Sequence, residues 1–121
     1  MSRLLVVDDD AHVRQFVAKL AYRRAGNALA VISASGFGEA LAICAANPVD
    51  AVLSDYFMLD HDGPDLVRRL QQLHPETRAM LMTGDASRVG EQLEGLATPV
   101  RDKVNLEAIV EEAVQLALGT L

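Results

Sequence analysis

A chain of 121 residues, half of them hydrophobic and 23% charged, has the size and balance of one folded domain spanning residues 1–121 and argues against extensive disorder. Its formal net charge of −6 gives a phosphate polyanion no broad basic surface to neutralise, which excludes nucleic-acid binding through this chain alone as a working expectation. The single cysteine, Cys44, has no disulfide partner and points to a reducing cytoplasm, and the apolar opening is broken by acids too soon for a secretion signal or a membrane span.

Short apolar runs of strand length alternate along the chain with longer stretches of helical periodicity. The first run, residues 4–7, leads into Val13, Phe16, Val17 and Leu20 at helical spacing, a face expected to be buried, with Asp9 or Asp10 placed to cap it. A second strand at 29–33 precedes Phe37, Leu41 and Cys44, a helix that Asn47-Pro48 ends. A third strand at 49–54, expected to be central, precedes Pro64, Leu66, Leu70 and Leu73, with proline at a helix start that tolerates it. The fourth strand, 79–83, is followed by Val89, Leu93 and Leu96, which mark a short helix. A weak fifth strand at 100–102 carries Arg101-Asp102 and suggests an exposed or irregular edge. Leu106, Ile109, Val110, Ala113 and Ala117 then stripe the last helix.

Five such cycles predict an α/β fold, a (βα)5 doubly wound parallel sheet of flavodoxin type with strand order 2-1-3-4-5. Sites in such sheets lie beyond the carboxyl ends of the strands, near the switch point between strands 1 and 3. The residues at those ends are Asp8-Asp9-Asp10, Asp55, Thr83-Gly84 and Lys103. Three carboxylates converging on a small cleft repel one another unless a hard divalent cation neutralises them, and magnesium, which takes one or two carboxylates plus phosphate oxygens, suits Asp8 or Asp9, Asp55 and an incoming phosphoryl group. Phosphoryl transfer needs positioning and charge neutralisation, for which Lys103 offers a point charge, Thr83 a hydroxyl donor and Gly84 an unobstructed backbone.

Each residue also has a plainer reading. The acidic run can be a helix cap, Asp55 a polar strand terminator, Thr83-Gly84 a turn and Lys103 a solvated surface residue. Their coincidence at four strand ends favours a site. His12, one turn into the first helix near the acids, is expected to be a solvated side chain rather than a metal ligand or catalytic group, and His61 and His74, which flank turns with no ligand partner at a standard spacing, are assigned no role.

The arrangement resembles the response-regulator receiver family over essentially the whole chain. Leu5-Val6-Val7-Asp8-Asp9 is similar to that family's metal-binding acidic pair, Val52-Leu53-Ser54-Asp55 to its phosphoacceptor strand, Asp62-Gly63 to the loop that follows, Met80-Leu81-Met82-Thr83-Gly84 to its Ser/Thr strand and Lys103 to its site lysine. The resemblance implies a signalling protein rather than an enzyme. It would accept a phosphoryl group onto Asp55 from a histidine kinase or histidine phosphotransfer protein, with Mg2+ held by Asp8, Asp9, Asp55 and the backbone carbonyl of Phe57, and with Thr83, Gly84 and Lys103 on the phosphate. With no effector domain after Leu121, output through contacts or onward phosphotransfer is expected.

Several positions depart from the family pattern. Val104 follows the lysine where a proline in a cis peptide is usual, Val100 stands where many receivers carry a switching Tyr or Phe, Leu59 replaces a common proline, and the stretch from Thr83 to Lys103 is short. Classical aromatic switching cannot operate through Val100, so a modest conformational response is expected. Two rivals remain: a phosphatase of haloacid-dehalogenase type with Asp8 as nucleophile and Asp10 as acid-base, which leaves Asp55 unexplained, and a receiver-like interaction module that never turns over phosphate.

Overall fold

The computed structural model describes residues 1–90 and 95–120. In chain order these form β1 (Ser2–Val7), α1 (Ala11–Ala25), β2 (Leu29–Ala34), α2 (Phe37–Ala46), β3 (Ala51–Asp55), α3 (Gly63–Leu73), β4 (Arg78–Thr83), β5 (Val100–Asp102) and α4 (Leu106–Leu118). Single turns of 3-10 helix lie at Gly26–Ala28, Ala86–Arg88 and Lys103–Asn105. Among the described residues, five parallel strands form one sheet in the order β2-β1-β3-β4-β5, as expected from the alternation.

Side chains alternate across a strand, and β1 serves both faces of the sheet. Leu4 and Val6 join Leu53, Met80 and Met82 beneath Val17, Leu20 and Ala21 of α1 and Ile109, Val110, Ala113, Val114 and Ala117 of α4. Leu5 and Val7 join Val52 on the opposite face, covered by Ala40 and Cys44 of α2 and Leu66 and Leu70 of α3. A third cluster, Tyr56, Val67 and Leu81, lies toward β5 and gathers Phe57, Ala79, Val89, Leu96 and Val100 around it. Covering both faces explains why residues 4–7 of β1 and 51–53 of β3 read as unbroken apolar runs.

The helices begin and end on recognisable chemistry. Asp10, not Asp9, caps α1, its carboxylate accepting from His12 N at 2.8 Å. Asn105 caps α4 by accepting from Ala108 N at 3.1 Å, and Gly119 closes it in the left-handed conformation at φ 75°. None of the described helices is long and apolar enough to cross a membrane.

Three expectations shift. Phe16 is exposed: the buried stripe of α1 runs through Val17, Leu20 and Ala21, and a residue next to Val17 points about 100° away from it. Leu73 is exposed because it is the last residue of α3, although it lies within about 20° of buried Leu66 around the helix axis. β3 starts at Ala51 rather than at residue 49, because Asp50 is drawn to Arg3, whose N donates to its Oδ2 at 2.7 Å, and the Val49 carbonyl accepts Thr77 Oγ1 at 2.7 Å. The helix expected from Val89, Leu93 and Leu96 falls largely on residues 91–94, outside the described residues; ahead of it Ala86–Arg88 makes one 3-10 turn capped by Asp85.

β5 is the exposed edge that its charge suggested, only three residues long and paired to β4. Arg101 turns its Nε and Nη2 onto Glu112 of α4 at 2.9 and 3.0 Å, a two-pronged ion pair that fastens the strand to the last helix.

Candidate functional site

A parallel sheet puts every strand's carboxyl end on one rim, and the register brings the polar residues there side by side. Val7 pairs with Ser54, Asp55 with Met82 and Thr83 with Asp102, so Asp8, Asp55, Thr83 and Lys103 emerge next to one another. Asp8, Asp55 and Thr83 are all buried, which is unusual for carboxylates unless they are partnered.

The partner is Lys103. Its Nζ donates to Asp8 Oδ2 at 3.1 Å and stands 3.2 Å from Asp55 Oδ1, bridging the ends of β1 and β3. Asp8 Oδ1 accepts from Asp10 N at 2.9 Å and the Asp8 carbonyl from Arg14 Nη1 at 2.7 Å. The acid pair is therefore oriented by its own backbone and by a second cation. Burial, followed by the charge of Asp8, raises the Asp55 carboxyl above its ordinary range against the opposing pull of Lys103. Partial burial acts downward on the Lys103 ammonium, but Asp55 and Asp8 outweigh it and hold the group above its usual value.

Asp9 is exposed at the mouth, and Asp8, Asp9 and Asp55 offer carboxylate oxygens that all lie within 4.8 Å of one another. Asp10 Oδ1 caps α1, which gives that carboxylate a structural task. Thr83 Oγ1 accepts from Asp85 N at 3.0 Å, leaving its O–H free to donate into the pocket. A Cβ on Gly84 would meet nothing within 4 Å, so open space borders Thr83.

The loop after β3 is folded tightly under the site. Gly63 N donates to the Tyr56 carbonyl at 2.7 Å, and a Cβ on Gly63 would lie 2.5 Å from the Asp55 carbonyl oxygen and 2.7 Å from Leu81 Cδ2. Phe57 is half-buried, its ring 4.6 Å from that of Tyr56 and covered by the Arg88 guanidinium at 4.1 Å. Leu59 and Val104 stand exposed, and every described peptide bond, including Lys103-Val104, is trans.

The structure thus brings together Asp8, Asp9, Asp55 and Lys103, with Thr83 beside them. The histidines stay apart: the His12 side chain is exposed, His61 stacks on Phe37 with ring centroids 4.3 Å apart, and His74 caps the end of α3. Arg88 and Asp60 carry contacts that no sequence signal singled out, and for Arg14 the one signal was its position in the first turns of the helix behind the acids.

Residues 4–103 match the model of the response regulator receiver domain, and the chain belongs to that family. It is 33% identical over 85 residues to the response regulator protein PilR of Pseudomonas aeruginosa, a match covering 70% of this chain but 18% of PilR. It is 31% identical over 87 residues to the response regulator receiver protein CpdR of Brucella abortus, covering 72% of this chain and 70% of CpdR. Among solved structures, the response regulator TrrA of Thermotoga maritima, in complex with Mg2+-BeF, superposes with a TM-score of 0.79 at 21% identity over 96% of this chain and 99% of TrrA. A response regulator of Burkholderia pseudomallei with a phosphorylated aspartic acid, calcium ion and citrate gives 0.78 at 26% identity, over 98% of this chain and 69% of that one. The chain is a receiver domain of two-component signalling, and the pocket of Asp8, Asp9 and Asp55 is of the kind that holds a phosphoryl-accepting aspartate.

Proposed function

We propose that residues 1–121 act as one receiver domain, in which Asp55 accepts a phosphoryl group from a partner's phosphohistidine in a magnesium-dependent reaction that changes which proteins the chain contacts. The observation that carries this reading is the convergence of three carboxylates, one ammonium and one buried hydroxyl on a single rim of the sheet. The phosphorylated aspartic acid and calcium of the Burkholderia regulator and the Mg2+-BeF of TrrA support it by likeness.

The donor set fits a small hard cation, since all three side chains offer carboxylate oxygens within 4.8 Å of one another. Asp8, Asp9 and Asp55 would hold Mg2+, with the Phe57 carbonyl as a further oxygen, and the ion supplies charge neutralisation for the phosphoryl oxygens. Asp55 contributes the nucleophile: a carboxylate oxygen bonds to phosphorus as the P–N bond to the donor imidazole breaks. Lys103, already 3.2 Å from Asp55 Oδ1, sets a positive charge beside the group in transfer. Thr83 donates its O–H to a phosphoryl oxygen, and the Gly84 backbone borders the same space. The chain promotes only its own phosphotransfer and slow autodephosphorylation.

The partner in this reading is a histidine kinase or a histidine phosphotransfer protein in the cytoplasm. The buried free thiol of Cys44, whose pKa is pushed up by burial, suits a reducing compartment. The test is labelling with acetyl phosphate followed by mass spectrometry of parent and Asp55→Asn. Label on Asp55 and none in the variant is expected; equal incorporation, or label on Asp8, would overturn the assignment. A parent that takes no label from either acetyl phosphate or a phosphohistidine donor would favour the constitutive interaction module, the reading that Val100 and Val104 keep in view.

A further inference from the structure

The loop that runs from Asp55 to α3 is tied to a helix it does not belong to. Asp60 Oδ2 accepts from the backbone N of Phe37, the first residue of α2, at 2.9 Å, while Oδ1 accepts from His61 N at 2.9 Å. α2 has no cap of its own, because Gly36 at the capping position has no side chain. A carboxylate from a distant loop takes the place that a Ser, Thr, Asn or Asp usually fills.

Gly36 makes this possible by steric room alone. Its φ of −177° is extended backbone open to any residue, yet a Cβ there would lie 2.9 Å from Asp60 Oδ2 and 3.0 Å from Oδ1. The His61 ring, packed on Phe37 at 4.3 Å, closes the second side of the same junction. Slight burial acts upward on the Asp60 carboxyl, but the backbone N–H groups of His61, Phe37 and Gly38 prevail and hold it below the ordinary range.

The near end of the loop is fixed independently, by Tyr56 N donating to the Met82 carbonyl at 2.8 Å. Between the two anchors lies Phe57. Phe57 and Met58 pack against the core, but Leu59, Asp60 and His61 beyond them are exposed, and the polar junction with α2 ties down that outer part of the loop.

We infer that Asp60 is a positioning residue for the metal site, clasping the loop to α2 so that the segment bearing the Phe57 carbonyl is ordered before the cation arrives. The inference rests on the reading of Asp8, Asp9 and Asp55 as a magnesium site. Groups outside the ligand set that orient a ligand influence affinity strongly, since ordering done in the fold is not charged to binding.

The experiment titrates magnesium chloride calorimetrically into the parent, Asp60→Ala, Gly36→Ala and Asp60→Asn. It also measures acetyl phosphate labelling as a function of magnesium. Asp60→Ala removes the clasp; Gly36→Ala leaves Asp60 in the chain but drives its carboxylate out; Asp60→Asn keeps an acceptor oxygen. Both alanine variants should bind Mg2+ about tenfold more weakly. The labelling rate at saturating magnesium should be unchanged, and Asp60→Asn should stay near the parent. Should Asp60→Ala fail to fold by circular dichroism, the Gly36→Ala and Asp60→Asn pair decides. Parent-like affinity in Gly36→Ala, or Asp60→Asn as weak as the alanine variants, overturns the clasp while leaving the metal site standing. A parent that binds no magnesium removes the metal site itself and the clasp with it.

Discussion

Lys103 Nζ lies 3.2 Å from Asp55 Oδ1, and the same nitrogen reaches Asp8 at 3.1 Å, so one ammonium is shared between two buried carboxylates. Lys103→Met keeps the length of the side chain and deletes the charge. Two acids are then left facing each other out of water, and removing one partner of such a cluster costs about 3 kcal/mol. We expect that loss in urea unfolding without metal, and a larger stabilisation by added magnesium in the variant than in the parent. Coincident unfolding curves for the two proteins would show that the ammonium is not needed to hold the acids.

Asp9 is the exposed member of the acid cluster, so replacing it perturbs the core least. Asp9→Ala removes a full charge and an oxygen donor, and magnesium affinity should fall by about tenfold or more. Calorimetric titration reads the change directly; an unchanged dissociation constant would take Asp9 out of the site.

Gly63 is required by contact rather than by backbone conformation. A methyl group there must displace either the Asp55 carbonyl, at 2.5 Å, or Leu81 Cδ2, at 2.7 Å. Gly63→Ala should therefore cost about 2 kcal/mol, as overpacked cores do, and should slow labelling of Asp55 because the acceptor strand itself is pushed. A variant with the parent's melting temperature and labelling rate would contradict this.

Phe57 stands two residues beyond the acceptor, where a bulky apolar side chain hinders the water that must attack an acyl phosphate in line. The ring is held between Tyr56 and Arg88. Asp85, two residues after Thr83, turns its Oδ1 to Ser87, accepting from that residue's N and Oγ. Shielding should dominate, and Phe57→Asn should hasten loss of the phosphoryl group by about tenfold, or about 1.4 kcal/mol of barrier. The decay of purified, labelled protein with magnesium and no phosphatase measures it; equal half-lives would free Phe57 of that role.

The β1 run and the acids behind it were legible because a strand covered on both faces has no polar residue until it ends, so Asp8 announces the rim. The same logic exposed Asp55 and Thr83, whereas Lys103 follows the short, exposed β5 and stood out because Lys19 in the first helix is the only other lysine. Phe16 was misplaced because spacing alone does not tell the centre of an apolar stripe from its edge, and Leu73 because it lies on the right face but at the helix end, beyond the core. Asp60 was invisible for a different reason. Its partner Phe37 is 23 positions away, and only the assembled loop brings a carboxylate to an uncapped helix. Arg88 over Phe57 is likewise a meeting of two loops that share no local pattern.

The guanidinium of Arg101, clamped sideways on Glu112, has a bearing on how the molecule behaves in a crowd. A visiting strand that tried to zip onto β5 would find three residues, two of them charged, already fastened to α4. Such a border resists edge-to-edge pairing along β5.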